Sequence, residues 1–140
     1  MTSVCPQCSA VRVQGHWSYD EGALEAALKS GDYESGLCPG CERLAKHRVD
    51  GVVTLRSPLL DEHRQEALNL IHNVAEKRLA HSVAARIAHI EEEPGEIRVA
   101  TTEQHLAERI GKEFEKAYSG DLEIQWPKGE EFVRVTWARD

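Results

Sequence analysis

This sequence predicts an α+β fold in two parts, a small cysteine-anchored module over residues 1–57 and an αββαββ domain over residues 58–140. Three observations lead there. All four cysteines fall in two Cys-Pro-x-Cys turns, Cys5–Cys8 and Cys38–Cys41. The segment they bracket, roughly 40 residues, is too short to be held by apolar burial alone. Beyond it, two stretches repeat apolar residues at the spacing of one helical face, and four runs carry the apolar residues of strands. Ser57-Pro58 separates the parts, because proline disfavours helical backbone in the residue before it.

The elements follow in order. Val11 and Val13 alternate with polar neighbours toward Trp17 and Tyr19, which predicts a short strand or hairpin arm. Asp20 is placed to cap a helix over Gly22–Lys29, and Gly31 to stop it. The second cysteine turn runs into Glu42-Arg-Leu-Ala-Lys-His-Arg, a helical stretch, and Gly51–Arg56 reads as a strand leading out of the module. Asp61 to about Ala80 reads as one long helix with Ala67, Leu70, Ile71, Val74, Ala75 and Leu79 on its apolar face. Arg86–Ile90 and Ile97–Thr101 flank Glu93-Pro94-Gly95-Glu96, a hairpin turn. Thr101 or Thr102 is expected to cap the next helix, with Gln104 closing a capping box. That helix carries Leu106, Ile110, Phe114, Ala117 and Tyr118 on one stripe and ends at Gly120. Two strands finish the chain, one with Leu122, Ile124 and Trp126 on a face, the other with Val133, Val135 and Trp137.

Charge and hydropathy narrow the function classes. The chain has 17 Lys and Arg against 24 Asp and Glu, a net charge of −7. That balance argues against coating nucleic acid by bulk electrostatics, but it leaves room for a local basic face. No stretch approaches the ~20 apolar residues of a membrane span, and the N-terminus lacks a basic start and an apolar core. The expected setting is therefore cytoplasmic, where thiols stay reduced and CxxC pairs favour metal over disulfide.

The pattern C-x2-C-x29-C-x2-C uses every cysteine. Two rigid knuckles can present four thiolates in a tetrahedron, which is the ligand set of structural zinc. One Zn2+ per chain on Cys5, Cys8, Cys38 and Cys41 is the expected cofactor. A knuckle and hairpin followed by a knuckle on a helix looks like a treble clef or zinc ribbon variant. Iron of the rubredoxin kind is the sharpest rival, yet its knuckles usually carry glycine after the second cysteine, where this chain has Ser9 and Glu42. A pair of redox CxxC motifs would want a βαβ setting, which is missing. Four thiolates leave no position for a reacting water, so the site is expected to be structural and the protein not an enzyme.

No other constellation points to catalysis. His63, His72, His81 and His89 are nine, nine and eight residues apart, which does not stack them on a helix, and no HExxH pattern occurs. Arg43, Lys46, His47, Arg48 and Arg56 form the densest basic cluster and begin just after the second knuckle. With Trp17 on the arm between the knuckles, they are the expected contacts to RNA or another partner. Trp126 and Trp137 lie on the core phase of their strands, which favours packing over base stacking.

The succession of Cys5-Pro-Gln-Cys8, the Gly15-His16-Trp17 arm, Cys38-Pro-Gly-Cys41 on a helix, and a terminal Val133-x-Val-x-Trp-x-Arg139 strand resembles a family of small uncharacterised bacterial zinc-knuckle proteins. The resemblance covers most of the chain. Ile97–Ile124, with its strand, Thr-Thr pair and Leu106-Ala-x-x-Ile110 helix, is similar to a segment after the zinc knuckles of the archaeal and eukaryotic large-ribosomal-subunit export adaptor. That adaptor has further CxxC pairs which this chain lacks. The resemblance implies a zinc-binding adaptor for RNA or a ribonucleoprotein such as the ribosome. The alternative is a protein–protein interaction module with a purely structural zinc site.

Overall fold

The computed structural model describes all 140 residues, as a mixed α+β chain with two sheets and five helices. The first sheet is small. Its strands are β1 (Ser3–Val4), β2 (Val11–Val13), β3 (His16–Ser18) and β4 (Glu34–Ser35), in the order β3-β2-β1-β4. Between β3 and β4 lies α1 (Glu21–Ser30), which begins and ends where the sequence places its signals. Asp20 Oδ1 accepts from the Ala23 N–H, and Gly31 closes the helix in the left-handed region. Helix α2 (Pro39–Ala45) follows, with Cys38 as its N-cap and proline at its first position.

The second sheet holds the main core. It comprises β5 (Gly51–Arg56), β6 (Ile87–Glu93), β7 (Glu96–Thr101), β8 (Asp121–Gln125) and β9 (Val133–Ala138), in the order β6-β7-β5-β9-β8. Strands β5 and β9 run parallel and the other neighbours antiparallel. Strand β5, expected to lead out of the cysteine module, is instead the centre of this sheet. Alternation along Gly-Val-Val-Thr-Leu-Arg announces a strand with one buried face, but not which strands it joins.

Helices α3 (Leu59–Glu62), α4 (Arg64–Leu79) and α5 (Gln104–Tyr118) complete the chain, with α5 lying against β5 and β9. Val53, Leu55, Ile97, Val99, Val133, Val135 and Trp137 meet Ala67, Ile71, Leu106, Ile110 and Phe114 in one buried cluster. Gly111 lets α5 approach closely, since a Cβ there would overlap Val135 and Leu122. The uncovered face is polar. Arg98 bridges Glu91, Glu93 and Glu96, and Arg56 also pairs with Glu96.

Three local expectations are corrected. The long helix is broken at His63 (φ −117°), where Asp61 is drawn to the hairpin and accepts from the Gly95 N–H at 2.8 Å. The cap of α5 is Glu103, not a threonine. Thr101 and Thr102 are fully buried, and the Thr102 hydroxyl already donates to the Ala84 carbonyl at 2.6 Å. Trp126 is 47% exposed rather than in the core, because β8 ends at Gln125 and Pro127 takes the chain out of the ladder.

Candidate metal centre

The two knuckles bring the four sulfurs together. All four Sγ atoms lie within 4.8 Å of one another, and Cys8 Sγ stands 3.6 Å from Cys38 Sγ. A tetrahedral four-sulfur shell with bonds near 2.3 Å has S···S edges of about 3.8 Å, so the donor set fits a zinc-sized ion. Cys5, Cys38 and Cys41 are buried and Cys8 is half-buried. No disulfide is formed.

Local structure aims each thiol. In the first knuckle the Cys5 N–H donates to the Ala10 carbonyl, and the Ser9 N–H to the Cys5 carbonyl, with Ser9 in the left-handed region (φ 65°). In the second, the Cys41 N–H donates to Cys38 Sγ at 3.4 Å across the first turn of α2. Gly40 sits where this turn meets the loop before β6. A Cβ there would overlap the Val83 carbonyl oxygen and lie 2.7 Å from Arg86 Nε. Val83 joins Cys5, Ala10, Cys38 and Cys41 in a small cluster, and Trp17 packs against it.

The residue that sequence reasoning missed is Arg86. Its Nη2 lies 3.4 Å from Cys38 Sγ and 3.5 Å from Cys8 Sγ, and its Nη1 lies 3.7 Å from Cys41 Sγ. Nη2 also donates to the Tyr19 hydroxyl at 2.8 Å, and Nε to the Val83 carbonyl at 3.0 Å. The backbone of Arg86 is held from both directions by Thr102. The Arg86 N–H donates to the Thr102 hydroxyl at 2.8 Å, and the Thr102 N–H to the Arg86 carbonyl at 2.9 Å.

The thiols do not ionise alike. Burial opposes a thiolate at Cys8, but hydrogen bonds with the Tyr19 hydroxyl, the Ala10 amide and Arg86 outweigh it and bring the group down to about 6. Cys5 is also lowered, since backbone amides of Cys38, Cys8 and Gln7 overcome its burial. Burial and the neighbouring cysteines push Cys41 up to about 12, and burial also raises Cys38. Four thiols this close cannot all carry charge without a cation among them. A dication at their centre meets that need.

Of the expected contact residues, Trp17, Arg43 and Arg48 line one shallow depression together with Arg12, and Arg56 lies apart from it. Arg43 donates to the Thr102 carbonyl at 2.7 Å and faces Asp50 at 4.0 Å. Lys46 pairs with Glu42 at 2.8 Å. Arg48 grips Asp50 through two bonds of 2.9 and 3.0 Å and reaches Glu131 at 3.4 Å. Arg56 stands at the far end of β5, five residues from its start and roughly 17 Å away along a strand, where it pairs with Glu96 at 2.6 Å. His47 is exposed in the turn after α2 with φ 55°. Trp17 is half-buried beside the cysteines.

No helix is long and apolar enough to cross a membrane. The chain matches no protein family, no curated protein and no solved structure.

Proposed function

We propose that the protein is a zinc-binding adaptor without catalytic activity, built on one structural Zn2+ held by Cys5, Cys8, Cys38 and Cys41 in a treble-clef or zinc-ribbon-like module. The observation that carries this is the convergence of four sulfurs within 4.8 Å, three of them buried. Four thiolates fill a tetrahedral shell, so the ion would supply rigidity rather than a site for substrate. Elemental analysis of protein purified under reducing conditions tests it. One zinc per chain is expected; red iron-loaded protein, or protein without metal, overturns it.

Between RNA and protein partners, the protein reading is favoured. Arg43, Lys46, Arg48 and Arg56 each already face a carboxylate of this chain, so a phosphate would have to displace it. Meanwhile Met1, Val13, Tyr19, Leu28 and Leu37 are exposed, and of the large exposed apolar residues only Trp126 lies outside the cysteine module. A shallow depression of about 440 Å³ lies beside Val13 and α1. Two variants separate the readings, Val13→Asp with Leu28→Asp, and charge reversal of the four cations. Loss of a co-purifying protein with the first, unaffected by RNase, supports a protein partner. If only the second releases it, and binding falls steeply with salt as phosphate contacts require, RNA is the partner.

A further inference from the structure

Arg86 binds no metal, yet more of its hydrogen-bonding capacity goes to the cysteines than to anything else. It immediately precedes β6 of the second sheet, 78 residues from Cys8 and 45 from Cys41. Its guanidinium reaches one sulfur of the first knuckle and both of the second. A planar fork suits that task, because its donors leave in fixed directions and serve several acceptors at once. The placement is not accidental to a floppy side chain. Nε is tied to the Val83 carbonyl, and buried Thr102 holds the backbone on both sides. Arg43 in turn holds the Thr102 carbonyl, so α2 and Arg86 are braced against the same residue.

Charge gives the arrangement its purpose. Four thiolates around a dication carry a net charge of −2 in a largely buried site, and a guanidinium against three of them offsets half of it. Cys5 and Cys8 have other donors, from backbone amides and from Tyr19. Cys41 has no N–H donor besides Arg86 within reach of its sulfur.

We infer that Arg86 is an integral part of the metal centre, a positioning residue whose N–H···S bonds hold the thiolates of both knuckles for the ion and make metal retention depend on the second sheet. This rests on the cysteines being a zinc site. Where such supporting groups are removed, metal affinity typically falls about 10–100-fold.

The test uses the full-length chain and three versions of residue 86: wild type, Arg86→Gln and Arg86→Lys. Zinc affinity is measured by competition with a chromogenic chelator, and the sulfur-to-metal charge-transfer band is recorded after cobalt substitution. Arg86→Gln is expected to bind zinc about 10–100-fold more weakly. Its cobalt band should move to longer wavelength, because a sulfur that loses an N–H donor gives up electron density more readily. Arg86→Lys keeps the charge but not the fork, and should fall between. If Arg86→Gln does not fold, Arg86→Lys carries the test through its band position and affinity. A band unchanged in Arg86→Lys with wild-type affinity overturns the inference, as does wild-type zinc binding by Arg86→Gln. Failure of the wild-type chain itself to bind zinc or cobalt would instead remove the zinc reading on which the inference rests.

Discussion

Replacing Glu103 by alanine should be among the most damaging polar substitutions in the chain. One oxygen of its carboxylate accepts from the Leu106 N–H at 3.0 Å, capping α5, and the same oxygen accepts from Arg78 Nε at 3.0 Å. The other takes Arg78 Nη2 at 2.8 Å. The pair lies mostly out of water, with side-chain exposures of 13% for Glu103 and 28% for Arg78. Loss of an N-cap costs about 1 kcal/mol. A hydrogen bond to a charged partner adds about 1.5–3 kcal/mol, taken near the low end because Arg78 retains some solvent. Together about 2–3 kcal/mol is expected, read by urea denaturation of the zinc-loaded protein at neutral pH. The sign of the pH dependence also follows. Burial raises the Glu103 carboxyl, but Arg78 outweighs it and holds the group below its ordinary value. The stabilisation is therefore complete above the ordinary glutamate range, about pH 4.3, and fades as pH falls toward the lower value of the folded state. Comparing wild type with Glu103→Gln across that range cancels the acid release of metal, which both share. The gap between them should narrow as pH drops. A cost for Glu103→Ala below about 0.5 kcal/mol, the level of an ordinary surface change, would refute the reasoning, as would a pH-independent gap.

Gly40→Ala should destabilise the zinc-loaded protein by about 1–3 kcal/mol, because its new methyl meets a backbone carbonyl that no rotamer change can move; an unchanged thermal melt and unchanged zinc affinity would contradict this. Trp137→Ala should cost about 3–5 kcal/mol in urea denaturation, since the ring is fully buried against Phe114 and its Nε1–H donates to the Ser119 carbonyl at 2.6 Å. Cys38→Ser should disorder the first sheet while the amide signals of β5, β7 and β9 persist, and it should also shift Val83–Arg86, which face the second knuckle. Silence at Val83–Arg86 would mean that the knuckle and this loop are not coupled.

Much of this architecture is written locally. The cap at Asp20, the stop at Gly31, the hairpin at Pro94-Gly95 and the buried phase of Val133, Val135 and Trp137 each depend on neighbours a few residues away, and the sequence displays them directly. The cysteine cluster is also visible, because its spacing and the absence of any further cysteine restrict the pairing. What escapes is whatever depends on distant partners. Arg86 sits in Val83-Ala-Ala-Arg, a run that looks like the start of a strand, and nothing near it hints at sulfurs 45 to 78 residues away. The pairing of Arg48 with Asp50 lies two residues off and is discoverable, whereas Glu131 enters only through the fold. Thr101 and Thr102 satisfy the local rules for a cap, yet the Thr101 hydroxyl donates to the Glu103 carbonyl two residues on, the Thr102 hydroxyl to the distant Ala84 carbonyl, and the role passes to Glu103.

The open sheet ends in two border strands, β6 and β8, and their composition decides what a further strand would meet there. Strand β6 presents Glu91, Glu92 and Glu93 in succession, and β8 carries Asp121 and Glu123. A second copy sliding its β6 alongside would set one row of carboxylates against another, so the ladder hydrogen bonds on offer would come with mutual repulsion. Arg98 and Arg64 already pair with these glutamates within the chain, so how much of that repulsion is felt at the border is set by ion pairs made from β7 and from α4.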